Sequence, residues 1–295
     1  MIECVPNVSE GTRRSTIEAL ARAVVASGCR LLDLHSDPDH DRSVLTFVGD
    51  EASLFDGIVS MTREAAERID LRVQRGVHPR MGAVDVIPFV PLSGASMADC
   101  VRLAGHVGRA IGETLGIPVL LYAAAASSAA RRDLASVRRG QFEGLAEKLA
   151  QAEWAPDFGP PAPHPTAGAV AIGARDLLVA YNVVLGTDDL SIARRIAGRI
   201  REANGGLDGV KALGLRLARR GLVQVSMNLT AIERTDIPEA YRRVAAEAET
   251  AGVSVVDSEI VGLAPRAVLG TATAAELRLD RDLEAVVLEN RLAAT

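Results

Sequence analysis

The amino-acid sequence predicts an α+β protein of two similar α/β sandwich lobes, ferredoxin-like βαββαβ-type halves joined by a Pro-rich linker and assigned to 1–160 and 161–295. Three observations predict it. Short apolar runs with strand character alternate with stretches of helical period, and hairpins fall inside the alternation, as in a layered α+β sheet rather than a run of parallel βα units. The stretch Ala155 to Gly168 holds five of the chain's 13 prolines. Proline fixes φ and removes a backbone donor, so this stretch is an extended connection with little freedom of its own. Past it the layout starts over.

Met1 to Pro6 reads as the first strand. Thr12 to Ser27 carries Ile17, Leu20, Ala21 and Val24 at helical spacing with Arg13, Arg14 and Glu18 opposite, and Gly28 stops it. Cys29 to Leu34 and Arg42 to Val48 form a hairpin around Ser36-Asp37-Pro38-Asp39, a turn composition. Glu51 to Ile69 is helical, with Leu54, Ile58, Met61, Ala65 and Ile69 as its inward stripe, and Gly76 to Gly82 is a loop. A strand over Ala83 to Val90, a helix over Ser96 to Leu115 ended by Gly116, and a strand over Ile117 to Tyr122 complete the first half. In the second half, Leu177 to Leu185, Val223 to Leu229 and Val253 to Ile260 read as strands, and Asp188 to Ala203 and Pro238 to Ala251 as helices. Asn7-Val-Ser-Glu-Gly-Thr12 and Asn182-Val-Val-Leu-Gly-Thr187 each close a first strand, open a helix and agree at four of six positions, which points to related halves. A cleft between two such lobes, bounded by the Pro-rich linker, is a common place for a ligand.

Composition narrows the function. With 48% hydrophobic, 24% charged and 3% aromatic residues, the chain is neither disordered nor collagen-like, and its core is aliphatic. Its 33 Lys and Arg against 38 Asp and Glu give a net charge of −5, which argues against general affinity for nucleic acid or anionic lipid. An anionic ligand needs a local basic pocket. Cys4, Cys29 and Cys100 form no CxxC pair and read as buried thiols. The start of the chain lacks the pattern of a signal peptide, and the longest uncharged stretch, Gly116 to Ala130, is shorter than the ~20 residues of a membrane span. A cytoplasmic protein is expected.

The densest polar cluster is Arg72-Val-Gln-Arg-Gly-Val-His-Pro-Arg-Met-Gly82. It places His78 between arginines in a glycine-bracketed loop, where an imidazole can take and return a proton near pH 7. A second cluster, His35-Ser-Asp-Pro-Asp-His-Asp-Arg-Ser43, fits neither a calcium loop nor a zinc template, so no metal is expected. It reads either as an acidic turn holding its own backbone or as an anion site in which Arg42 meets a carboxylate while Asp39 orients a base. Gly168 to Gly173 is not GxGxxG, and neither a Walker lysine nor a GxSxG elbow occurs. Arg131, Arg132, Arg138 and Arg139 read as a solvated helix face, since no aromatics interleave them.

Taken in order, Glu3 to Gly11, Asp37 to Val44, Gly76 to Val86, Pro156-Asp-Phe-Gly-Pro160, Gly173-Ala-Arg175, Ala180-Tyr-Asn182 and Gln224 to Leu229 resemble the formiminotransferase domain of glutamate formimidoyltransferases, from residue 3 to about 265. The two-domain animal enzyme carries a cyclodeaminase after this module, and this chain is similar to the stand-alone form. The resemblance implies transfer of a formimino group from N-formimino-L-glutamate to N5 of tetrahydrofolate, in histidine breakdown, by a homodimer using folate as co-substrate and no metal. It places the catalytic histidine on His78 and a folate-contacting segment on Gly159 to Gly168, with Gly159, Pro160, His164 and Gly168 as binding residues beside Asn7 and Asn182. Both substrates carry glutamate carboxylates, which guanidinium groups bind in bidentate fashion, so Arg42, Arg75 and Arg80 are assigned to them, Arg80 in the catalytic group. Asp39 is assigned to hold the amidine and orient His78.

Two departures stand out. The family commonly has Tyr-Gly-Glu-Ala-Ala where this chain has Tyr122-Ala-Ala-Ala-Ala126, and Asp41 stands where Asn usually precedes the arginine. Two alternatives therefore stay open: formyl transfer between 5-formyltetrahydrofolate and glutamate with formylglutamate on the same scaffold, or a folate-binding module without catalysis, in keeping with Ala124.

Overall fold

In the computed structural model, which describes residues 1–294, the chain divides into two compact units, Met1–Asp176 and the remainder from Leu177. The first is built on seven strands: β1 (Ile2–Cys4), β2 (Asn7–Val8), β3 (Arg30–Asp37), β4 (Arg42–Gly49), β5 (Val84–Pro91), β6 (Val119–Ala123) and β7 (Val170–Ala174). β1 and β2 lie end to end, both pairing with β4 on one side and β5 on the other. The break falls at Pro6, which has no N–H to give, while its carbonyl accepts from Leu45 at 3.1 Å. β3 pairs antiparallel with β4, and β7 joins β5 and β6 in parallel.

Helices α1 (Arg14–Ala26), α2 (Glu51–Arg68) and α3 (Met97–Leu115) bury their stripes on one sheet face, with Leu20, Leu54, Ile58, Met61 and Ile111 against Cys4, Phe47, Phe89 and Ile172. Each fully buried aliphatic side chain contributes about 1.5 to 3 kcal/mol. The starts of the helices are specified locally. Asp50 accepts the Ser53 N–H, Ser96 and Asp99 form a reciprocal cap, and the Glu10 carboxylate takes the N–H groups of Thr12 and Arg13 ahead of α1. Two five-residue helices, α4 (Leu134–Arg138) and α5 (Leu145–Leu149), cover part of the other face, where Val137, Leu145 and Leu149 pack on Leu120, Tyr122 and Ala171.

The second unit is a four-stranded antiparallel sheet in the order β11-β8-β10-β9, built from β8 (Val179–Leu185), β9 (Val210–Leu217), β10 (Leu222–Leu229) and β11 (Val255–Val261). Helices α6 (Leu190–Ile200) and α7 (Ile237–Thr250) share its core with Tyr181, Val183, Val225 and Met227. Asp189 and Asp236 cap them. Short helices α8 (Arg266–Leu269), α9 (Ala274–Leu277) and α10 (Leu288–Ala293) follow. The order strand, helix, strand, strand, helix, strand is that of β1/β2 to β5 in the first unit, and Asn7 and Asn182 hold the same place in it.

Several sequence expectations are revised. The units part at Asp176, not at 160/161, because β7 completes the first sheet between β5 and β6. β7, β9, α4 and α5 carry no clear signal in the sequence pattern. Arg131 is buried, not solvated, ion-paired to Asp157 at 2.6 Å and donating to the Glu153 and Ala155 carbonyls. Arg138 likewise turns inward, as described below. The three cysteines are free and buried, and among the described residues no helix is long and apolar enough to cross a membrane.

Candidate active site

The loop from Ile69 to Ala83 joins α2 to β5 and is fastened at both ends. The Leu71 N–H donates to the Thr166 carbonyl at 2.9 Å, and the Ala83 N–H to the Ala167 carbonyl at 2.9 Å. Its middle leans on the turn between β3 and β4. Val77 N–H meets the Asp39 carbonyl at 3.4 Å, and Gln74 Nε2 donates to the Asp41 carbonyl at 3.0 Å. Gly76 is required there, since a Cβ at that position would collide with the His40 carbonyl.

His78 sits half-buried at this junction, its ring centroid 5.9 Å from that of His40. Its Nδ1 lies 2.8 Å from the Pro79 carbonyl oxygen. A carbonyl can only accept, so Nδ1 carries the hydrogen and Nε2 keeps its lone pair. Burial drives the His78 imidazole well below its ordinary range, Arg42 and Arg138 push in the same direction, and Asp85 opposes them. His40 is lowered by burial as well, against the pull of Asp37. The structure thus presents a neutral imidazole with one nitrogen committed and one available.

Beside it lies an ionic cluster. Asp85, on β5, is fully buried and its Oδ2 meets Arg42 Nη2 at 2.8 Å and Arg138 Nη2 at 2.6 Å, while Oδ1 accepts the Met81 N–H at 2.8 Å. Burial alone would raise this carboxyl, but the two guanidiniums and the N–H hold it down to about 2. Desolvation lowers Arg42 to about 10, partly offset by Asp85. One carboxylate between two guanidiniums leaves an excess of positive charge next to the neutral ring. Arg42 Nε also donates to Asn7 Oδ1 at 3.1 Å, and its Nη1 makes no hydrogen bond among the described residues.

The other predicted site residues divide. Arg42 acts on His78 and donates to Asn7, Asp39 touches the His78 loop through a backbone carbonyl, and it is Pro79 that orients the ring. Arg80 is buried with its fork occupied: Nη1 and Nη2 meet the two Glu143 oxygens at 2.9 Å each, and Nε donates to Gln74 Oε1 at 2.9 Å. It fastens the loop to the segment ahead of α5. Arg75 is exposed, its Nη1 on the Gln74 carbonyl. Gly168 bridges Gly82, and His164 closes a turn with it by accepting the Ala167 N–H at Nδ1, 3.0 Å; that ring is lowered by burial. Gly159 and Pro160 lie elsewhere in the first unit, where Gly159 packs against Ile117 and Gly112 at the end of α3. Asn182 is in the second unit, its Nδ2 donating to Glu259 Oε1 at 2.7 Å.

Both departures from the family pattern acquire a physical reading. Asp41 has φ +47°, and its carboxylate accepts the Gly11 N–H at 2.9 Å. Asn and Asp are the side chains that tolerate this conformation, and either offers the oxygen. Ala123, standing where the family commonly has Gly, has φ +54° and carries the strain that glycine would avoid.

Asp85 and Arg138 were not assigned by sequence. Asp85 is hidden in an apolar strand, where a lone acid is itself the signal, because a carboxylate is buried only when paired.

Comparison with known proteins agrees with this frame. Residues 1–175 match the family description "Formiminotransferase domain, N-terminal subdomain" and residues 180–293 match "Formiminotransferase domain". The chain is 43% identical over 294 residues to the glutamate formimidoyltransferase of Streptococcus pyogenes serotype M1, covering 99% of this chain and 98% of that protein. It is 45% identical over 295 residues to that of Thermoplasma acidophilum, covering 99% and 97%. Against the formimidoyltransferase-cyclodeaminase of Sus scrofa it is 43% identical over 93% of this chain and 52% of that protein. With both family descriptions matched in order across the two units, this chain belongs to the formiminotransferase family.

Proposed function

We propose that the protein transfers the formimino group of N-formimino-L-glutamate to N5 of tetrahydrofolate, with His78 as general base and then general acid. The relatives named as glutamate formimidoyltransferases support the reaction class. The observation that carries the proton-transfer role is the commitment of His78 Nδ1 to the Pro79 carbonyl, which leaves Nε2 to work. N5 attacks the amidine carbon and forms a tetrahedral adduct, Nε2 takes the proton from N5, and the glutamate nitrogen receives that proton as the carbon–nitrogen bond breaks. Such assistance typically contributes about 10² to 10⁴ in rate. Because the ring titrates far below neutrality, the base form is populated throughout the neutral range, and kcat/KM should stay level from pH 8 down to pH 6.

The excess positive charge of the Arg42–Asp85–Arg138 cluster suits a glutamate carboxylate, with Arg42 Nη1 as the open donor. The turn carrying Asp39, whose carbonyl accepts the Val77 N–H beside His78, suits the cationic amidine. The segment ending at Gly168 contributes to the folate site through its bridge to Gly82. The working form is a cytoplasmic homodimer in histidine breakdown, as in the family it resembles. The test is incubation with tetrahydrofolate and either formiminoglutamate or formylglutamate while the folate absorbance is followed. Turnover with the first donor is expected. Turnover only with formylglutamate moves the assignment to formyl transfer, and folate binding without turnover points to a binding module.

A further inference from the structure

Lys148, on α5, is buried, yet it faces no acidic side chain within ion-pair distance among the described residues. Its Nζ instead donates to three carbonyls, those of Ser136 and Val137 at 2.6 Å each and of Arg139 at 3.2 Å, and sits 3.9 Å from the centre of the Trp154 ring. Two of these carbonyls lie in the last turn of α4 and the third, that of Arg139, in the residue that follows it. A five-residue helix has little stability of its own and its last carbonyls lack the partners of a longer helix; beyond the Arg139 N–H on the Ser136 carbonyl at 3.3 Å, it is the Lys148 ammonium that draws this end together. Favourable charge at a helix C-terminus acts in the same direction. Arg138 is the last residue of α4. It leaves the helix at the point that Lys148 grips and reaches Asp85 at 2.6 Å, while its own Nε is buried without a hydrogen bond. Val137 packs this end of α4 on the sheet and the Gln141 N–H meets the Arg138 carbonyl at 2.8 Å, and Lys148 adds a side-chain cation on the carbonyls of Ser136, Val137 and Arg139.

We propose that Lys148 is a positioning residue for the His78 site: by gathering the carbonyls at the end of α4 it sets the Arg138 guanidinium against Asp85 and so fixes the second cation beside the imidazole. This deepens the proposed function, but it concerns the resting protein. The charges that act most strongly on His78 are those of Arg42 from β4, Arg138 from α4 and Asp85 from β5, with His40 from the β3–β4 turn beside them. Of these, Arg138 is placed by the short helix, and removing its charge from beside His78 lets the ring take up a proton more readily.

The experiment reads the protonation of His78 by nitrogen-15 NMR of histidine-labelled full-length protein at pH 5.5, and needs no substrate. In the parent chain the ring is neutral. In Arg138→Met a measurable imidazolium fraction appears, in Lys148→Met the same fraction or somewhat less, and in the double variant no more than in Arg138→Met alone. Lys148→Arg, which keeps a cation and several donors, restores the neutral ring. A folded Lys148→Met protein whose His78 remains neutral while Arg138→Met titrates would overturn the proposal, as would effects that add in the double variant. Should Lys148→Met not fold, Lys148→Gln, which drops the charge but keeps an N–H donor, is read in the same way. Absence of formimino transfer would defeat the functional reading and leave this result intact.

Discussion

The two units share one chain order and one sheet order, yet among the described residues it is the first that sets two guanidiniums on a fully buried carboxylate and carries a loop histidine. The contrast is located in the connections. In the second unit the passage from α7 to β11 is the short run Ala251 to Ser254, whereas the corresponding passage from α2 to β5 runs from Ile69 to Ala83 and carries Gln74, His78, Arg80 and Met81. On the strands, the second unit pairs Asn182 with Glu259, a neutral amide with an acid. The first sets Arg42 and Arg138 on Asp85. A common frame buries a similar core in each unit, and the chemistry is added through one lengthened loop and the extra layer of α3, α4, α5, β6 and β7. The lesson is that the repeated fold supplies positions and the insertions supply reactivity.

The sharpest way to break this comparison is His78→Ala. It should lower kcat/KM by at least about a hundredfold with the circular dichroism spectrum unchanged; full activity would remove the imidazole from the mechanism. Next, Asp85→Asn leaves two buried guanidiniums without their carboxylate and should cost about 3 to 5 kcal/mol in urea unfolding. Asn182→Ala in the second unit removes one hydrogen bond and should cost about 1 kcal/mol. Equal losses at the two sites would erase the distinction between the units.

A third prediction concerns Glu3 on β1, buried with its carboxyl raised to about 7 by desolvation, against a lowering influence from Arg175. In the unfolded chain the group ionises near the usual 4.5. The folded state therefore holds the proton more tightly, and stability is greatest below about 4.5 and falls as pH rises towards 7. Glu3→Gln should raise the melting temperature at pH 8 and flatten this slope, by an amount on the order of 2 to 3 kcal/mol. An unaltered slope would show that Glu3 is ionised in the folded protein. The smallest effect is expected of Ala123→Gly, which relieves a left-handed alanine at φ +54° and should stabilise by about 0.5 to 1 kcal/mol, net of the entropy of glycine.

Much of the frame was legible from sequence because its elements are long and regular. The stripe of α2 was legible as a clear helical period, and the strand over Val84–Pro91 as a near-continuous apolar run. β7 was not, because Val170-Ala-Ile-Gly-Ala174 is made of small residues, and neither was β9, where Lys211, Gly214 and Arg216 interrupt the apolar alternation. α4 and α5 are too short to show a helical period at all. In the site, His78 announced itself by its glycine and arginine neighbours. Arg138 did not, because a guanidinium in a basic run looks solvated until its partner on a distant strand is known, and Arg80 looked like a substrate clamp until Glu143 was found on its fork. Tertiary partners decide such residues, and local pattern carries no trace of them.

The central claim is that a neutral imidazole, hydrogen on Nδ1 and lone pair on Nε2, stands ready in the resting protein. Nitrogen-15 spectra of the labelled histidines at pH 7, assigned by loss of the signal in His78→Ala, measure it directly. His78 should show a neutral ring in the Nδ1–H tautomer. A cationic ring at that pH, or a hydrogen on Nε2 instead, would contradict it.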